Sequence, residues 1–371
     1  MSQVRNAAVS LATGSLAAFA LGALVFAQAT APPDKSVPFK SAMMNPYRLV
    51  ENWPKLGTIA PGPAIGIIPD GKGGVWLLQR SDPPLLHIDG SGNVVKTMAE
   101  GMFGTVHAFC QDKDGNFWAG DSGPFGNPNP EVLKKAYVVH KFSPDGKLLL
   151  TIGKAGVQKS GDDTFIGPAA CIAAPNGDII IADGHWPRPQ TVEGDRLVRY
   201  SKDGKFIRAY GKQGTGPGEF MGPHSLAYDS QGRLFVADRS NNRIEIFDKD
   251  MNFVDEWRQF GRPSGVAILK DDTLVVADSE SSYTGYRPAE FGPPGPETRG
   301  VPRNAGWQPG IRVGSAKDGS LRYFISATRP EGMGADDQGN IFGGLTAQCS
   351  PGGADKPTPG GPNCLQKWVK K

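Results

Sequence analysis

Past about residue 60 the chain alternates between short apolar runs and polar turn signals. Gly74-Val75-Trp76-Leu77-Leu78, Asp178-Ile179-Ile180-Ile181-Ala182 and Arg233-Leu234-Phe235-Val236-Ala237 are of strand length and rich in β-branched or aromatic residues. Asp-Gly dipeptides begin at Asp70, Asp89, Asp114, Asp145, Asp203 and Asp318, each between two apolar runs, where they predict hairpin turns.

Aligned on the turn glycine, six copies of one unit emerge: IGIIPDGKGGVWLLQR, VHAFCQDKDGNFWAGDS, AACIAAPNGDIIIADG, HSLAYDSQGRLFVADR, SGVAILKDDTLVVADS and EGMGADDQGNIFGGLT. Most are followed by a further strand pair, as in RLVRYSKDGKFIRAYG and RIEIFDKDMNFVDEWR. Four strands per unit, recurring at roughly 40 to 67 residues with insertions, predict an all-β fold, a six-bladed β-propeller of four-stranded antiparallel blades. The sixth copy ends one strand short, at Leu365–Val369, and Tyr47–Trp53 resembles the missing outer strand. The N-terminal strand is expected to close the ring and remove the open sheet edge.

Composition changes this picture only at the ends. The 371 residues include 50 Gly and 32 Pro and carry a formal charge of +3, with no clustered basic footprint, so no nucleic-acid partner is expected. Arg5, an apolar run from Ala7 to Ala27 and the small-x-small patterns Ala27-Gln28-Ala29 and Ala29-Thr30-Ala31 predict a signal peptide over 1–31. A linker over 32–45 and a propeller over 46–371 follow. The expected product is a periplasmic or secreted monomer, membrane-associated only if the leader is retained. Cys349 and Cys364 flank a Pro/Gly-rich loop and are expected to form a disulfide, worth ~3 kcal/mol for a loop of about 15 residues. Cys110 and Cys171 lie in strand patterns and read as buried thiols, with a second disulfide open to them.

The candidate chemistry lies in an alternation. Eight residues before the turn glycine stand His107 in the second copy, His224 in the fourth and Glu331 in the sixth. The third and fifth copies have Ala169 and Ser264 there, and the first, with one residue inserted, Ala64. Alternate blades lie about 120° apart, so three ligand-type side chains would converge on the axis from three directions. Two imidazoles and a carboxylate fit Zn²⁺ or a facial Fe(II) site. Arg80 and Arg239 follow the second strand of copies one and four. They suit either a substrate carboxylate or a strut to a neighbouring acid such as Asp238. His185, in ADGHW, sits one residue past the equivalent position, as a general base or as an exposed loop residue. The recurring Asp121, Asp183, Asp238 and Asp278 read as turn caps, and His87 and His140 as inert outer-strand residues.

The repeat resembles the NHL repeat, and GPHSLAYDSQGRLFVADRSNNRIEIF resembles more closely the peptidyl-α-hydroxyglycine α-amidating lyase family. That resemblance covers nearly all of the chain after about residue 45. It implies a six-bladed propeller with an axial zinc on three histidines, a structural calcium, and catalytic arginine and tyrosine residues. It also implies cleavage of an α-hydroxyglycine to an amide and glyoxylate. On it, His107 and His224 match two zinc ligands, and Arg80 and Arg239 the functional arginines. Glu331 replaces the third histidine, His185 the tyrosine, and Gly332 an acidic neighbour of the third ligand.

The expected function is therefore a metal-dependent lyase at an axial site, with His107, His224 and Glu331 on the metal and Arg80, His185 and Arg239 catalytic. The expected substrate is a peptide or small molecule bearing a carboxylate. Two alternatives stand beside it. One is an exported binding propeller without chemistry, presenting the insertions 123–137 and 281–312 to a partner. The other is a metal-dependent propeller hydrolase.

Overall fold

The structure is a computed structural model that describes residues 43–124, 129–185, 194–281, 304, 307–346 and 364–371. Six four-stranded antiparallel sheets form the blades of a propeller. The innermost strands, one per blade, are Ala64–Pro69, Val106–Gln111, Pro168–Ala173, Pro223–Tyr228, Pro263–Ile268 and Gly332–Ala335. Helical structure among the described residues is confined to Pro130–Leu133 and the single 3₁₀ turn Arg239–Asn241.

The ring closes as the sequence predicts. Tyr47–Leu49 pairs antiparallel with Leu365–Lys370, with Tyr47 opposite Lys370 and Leu49 opposite Trp368. The sixth blade thus draws three strands from the end of the chain and its outermost from the beginning, and no blade edge needed for closure is left open. The proposed signal peptide and most of the linker lie outside the described residues. Among those described, no helix is long and apolar enough to cross a membrane.

Apolar side chains fill the spaces between neighbouring blades. One cluster joins Ala108, Trp118 and Val139 of blade two to Ile179, Ile181, Val198 and Tyr200 of blade three. Each large side chain buried in this way contributes ~1.5–3 kcal/mol. The turn after each innermost strand needs a residue in the left-handed region. Gly115, Gly177, Gly232 and Gly339 supply it, and in blade five, where the glycine is missing, Asp272 adopts φ 65°.

Two features of this frame position the axis. The first is a β-bulge at the start of the innermost strand. In blade four Pro223 pairs with Asp238 and Ser225 with Ala237, which leaves His224 as the extra residue. The same irregularity frees Ala169, Ser264 and Ile65, and in blade two it spans His107 and Ala108. A bulge re-aims its side chain, here towards the axis. In blade one the bulged residue is Ile65, not Ala64, so the inserted residue inferred from the sequence is unnecessary. The position is still not a ligand.

The second feature is the recurring aspartate at the end of the second strand. Asp121 accepts from the N–H groups of Gly104 and Thr105, Asp183 from Ile166 and Gly167, and Asp238 from Met221. Each holds the segment leading into its own bulge. Gln79 takes this role in blade one, accepting from the Gly62 N–H. The turn-cap reading of these aspartates holds, and in blades three, four and five an arginine of the third strand is the electrostatic partner. Arg196 meets Asp183, Arg243 meets Asp238 and Arg312 meets Asp278, at 3.2, 2.8 and 3.0 Å.

Candidate metal centre

Four side chains meet at the axis: His107 and His224 from bulges, Glu331 from just before the innermost strand of blade six, and His185. One ligand atom from each lies within 4.8 Å of every other. Glu331 Oε1 is 3.3 Å from His107 Nε2, 3.3 Å from His224 Nε2 and 4.0 Å from His185 Nε2. The Nε2 atoms of His224 and His185 are 3.2 Å apart. Donors about 2.1 Å from one shared ion in a tetrahedral array lie roughly 3.4 Å apart, so the spacing fits a divalent metal.

The alternation along the sequence has a second half that the ligands alone do not reveal. His107 Nδ1–H donates to the carbonyl of Ala169 at 2.6 Å, and His224 Nδ1–H donates to the carbonyl of Ser264 at 2.7 Å. Ala169 and Ser264 are the bulged residues of blades three and five. Blades two and four supply these two imidazoles, and the odd blades that follow supply carbonyls that fix each ring with Nε2 directed at the axis. Such outer partners set tautomer and orientation in metal sites. On the carboxylate side, Thr346 Oγ1 donates to Glu331 Oε2 at 2.9 Å.

His185 arrives by a different route. It follows the second strand of blade three, two residues after Asp183, and Gly184 between them has φ 142°. A Cβ at Gly184 would come within 2.2 Å of Asp195 Oδ1, so the turn requires glycine. The N–H groups of Gly184 and His185 both donate to the carbonyl of Gly167. The exposed-loop alternative for His185 is wrong, because only 5% of its surface is accessible and its ring centroid lies 4.0 Å from that of His107, tilted at 57°. The signal available in the sequence was the glycine that shifts this histidine one place along the turn.

Burial governs the electrostatics. Desolvation pushes His107 down to about 3, with the neighbouring His224 adding to the effect. Desolvation also lowers His185, helped by His107, and His224, helped by Arg239. Burial alone would raise Glu331, but its contacts with His107, His185 and His224 hold it well below the usual carboxylate range. The cluster is three neutral imidazoles and one carboxylate, which is the protonation state that metal binding requires.

Arg80 and Arg239 flank this cluster. Arg239 lies in the buried 3₁₀ turn, with Nη1 3.9 Å from both Glu331 Oε1 and Glu280 Oε1. Its Nη2 donates to the carbonyl of His185 at 3.4 Å. The strut to Asp238 considered from the sequence falls to Arg243 instead. Arg80 Nε donates to the carbonyl of Val106, beside His107, at 3.2 Å. Desolvation, partly offset by Glu331, lowers Arg80 from the usual arginine value. His87 and His140 lie away from the axis and bond Asp70 and Thr151.

Cys110 and Cys171 are not thiols. They form a disulfide between the innermost strands of blades two and three. Cys364 is buried and disulfide-bonded, while Cys349 lies outside the described residues. Below the four-ligand cluster the innermost strands enclose an axial cavity of about 490 Å³, lined among others by Phe109, the disulfide, Leu226 and Met333.

Comparison with known proteins agrees with this architecture. Residues 220–247 match the NHL repeat, and residues 100–123 match the two component regulator propeller repeat. The chain is a six-bladed propeller that carries an NHL repeat over residues 220–247. Its sequence is 32% identical over 224 residues to NHL repeat-containing protein 3 of Homo sapiens, covering 57% of this chain and 58% of that one. It is 31% identical over 288 residues to peptidyl-glycine alpha-amidating monooxygenase B of Xenopus laevis, covering 73% of this chain and 28% of that protein. A probable peptidyl-alpha-hydroxyglycine alpha-amidating lyase of Caenorhabditis elegans is 25% identical over 196 residues, covering 52% of this chain and 51% of that one. The resemblance to amidating lyases seen in the repeat therefore extends across much of the propeller, although the chain spans under two thirds of each of these relatives. A gluconolactonase from Xanthomonas campestris shares the fold, with a TM-score of 0.56 at 14% identity over 90% of this chain and 94% of that one.

Proposed function

We propose that this propeller is a metal-dependent lyase that breaks the C–N bond of an α-hydroxyglycine-type compound carrying a carboxylate. The observation that supports it most is the axial cluster of His107, His185, His224 and Glu331 with Arg239 beside it. The residues fit a zinc or iron(II) ion, with His107 and His224 held as Nε2 donors by the odd-blade carbonyls. A bound ion of this kind supplies Lewis-acid chemistry, which lowers the pKa of a hydroxyl group.

The remaining roles belong to the chain. Arg239, fixed by its own turn and by the His185 carbonyl, and Arg80, fixed by the Val106 carbonyl, hold the substrate carboxylate. His185, the most distant of the three imidazoles from Glu331, takes the hydroxyl proton at Nε2 when it is not serving as the fourth ligand. The C–N pair passes to the amide nitrogen, which gains a proton, and the hydroxyl carbon becomes the aldehyde of glyoxylate. A structural calcium is part of this reading by resemblance to the amidating lyases.

The departures at Glu331 and His185 favour one second reading. Four protein donors fill a tetrahedral zinc site, and a filled site is structural. On that reading the metal would brace a binding propeller. Incubating metal-loaded protein with a small N-acyl-α-hydroxyglycine separates the two. Glyoxylate release that Arg239→Ala depresses chiefly through a raised KM supports the lyase. Full metal occupancy with no release supports the binding module.

A further inference from the structure

We propose that the Cys110–Cys171 disulfide positions His107 for metal binding, clamping the two strands whose contact aims the imidazole; this rests on the metal reading above. His107 and Cys110 share the innermost strand of blade two, while Ala169 and Cys171 share that of blade three. The hydrogen bond from His107 Nδ1 to the Ala169 carbonyl and the covalent bridge are therefore two rungs between the same strands. Both cysteines line the axial cavity, as do His107, His224 and Glu331.

The need for a clamp follows from the ladder. His107 lies in the bulge, where pairing with the second strand lapses between Val106 and Phe109 and resumes beyond them. Its own sheet therefore leaves His107 and Ala108 unpaired, and the ring direction depends on the distance to blade three. The cysteines hold their Cα atoms 5.5 Å apart and set that distance just past the bulge. Blades four and five show a weaker version of the same arrangement. There the Val266 N–H donates to Ser225 Oγ at 3.0 Å, one residue beyond His224, while His224 reaches the Ser264 carbonyl. Each ligand-to-carbonyl contact thus has an inter-blade strap a short step along its strand. The disulfide is the covalent one.

Co²⁺ is the probe, because its visible absorption reports coordination independently of turnover. Wild-type protein and the Cys110→Ala/Cys171→Ala variant are stripped of metal and titrated with Co²⁺. Cys110→Val/Cys171→Ala is made in parallel to keep volume in the core. Circular dichroism shows which variant is folded. Loss of an outer partner that orients a ligand typically weakens metal affinity 10–100-fold. A loss in that range with an altered Co²⁺ spectrum is the expected result. A folded variant that binds Co²⁺ with wild-type affinity and spectrum overturns the clamp, even if its Tm falls, because stability loss alone marks a structural bridge. Wild-type protein that binds no Co²⁺ overturns the metal reading and the clamp with it.

Discussion

The imidazole of His107 is fixed by the carbonyl of Ala169, 62 residues further along the chain and one blade away, at 2.6 Å. A carbonyl can only accept, so Nδ1 carries the proton and leaves the Nε2 lone pair, 3.3 Å from Glu331 Oε1, open to a metal. Nitrogen NMR of the metal-loaded protein should show Nδ1 protonated and Nε2 bound to metal in both His107 and His224. A protonated Nε2 in either ring contradicts the arrangement.

In the proposed metal centre His185 would be the fourth ligand at rest. His185→Tyr restores the residue type of the amidating lyases and leaves His107, His224 and Glu331 in place. Metal affinity, measured by competition with a chelator, should fall 10–100-fold while binding stays at one ion per chain. Unchanged affinity would mean that His185 is not a ligand.

The buried histidines make the metal-free protein acid-sensitive. His107 is held down to about 3 and His140, by desolvation, to about 4, against about 6.5 in the unfolded chain. Between those limits the unfolded state binds more protons than the folded one, so stability is full above pH 6.5 and falls as pH drops towards 4. His140, which is away from the metal centre, tests this cleanly. His140→Asn should make the urea-derived stability less steep over that interval, by ~1–2 kcal/mol after allowance for its partial exposure. An identical slope would show that His140 titrates normally.

Arg243 ties the third strand of blade four to the loop over 215–219. It bonds Asp238 and Glu256 and the carbonyls of Thr215, Gly216 and Glu219, and it is 1% exposed. Arg243→Ala leaves buried Asp238 without its counter-charge and should cost ~3–5 kcal/mol in denaturant unfolding. A loss under about 1 kcal/mol would show that the network relaxes around the gap.

The six-bladed ring and its N-terminal closure were legible because period-two runs and left-handed glycine turns recur copy by copy. His107, His224 and Glu331 were legible because one position, eight residues before the turn residue, recurs in every copy of the repeat, and three blades carry a ligand type there. Three things were hidden. Ala169 and Ser264 act through backbone carbonyls, which no side chain advertises. The Asp–Arg pairs join residues across neighbouring strands, so Arg239 beside Asp238 looked like a partner that is really Arg243. The Cys110–Cys171 bridge depends on blade spacing, which only the closed ring sets.

The most direct measurement is elemental analysis of the purified protein, alone and as Glu331→Ala, after removal and restoration of metal. The axial centre predicts about one zinc or iron per wild-type chain, with occupancy lost or clearly weakened in the variant. Absence of a transition metal from both proteins after reconstitution would contradict it.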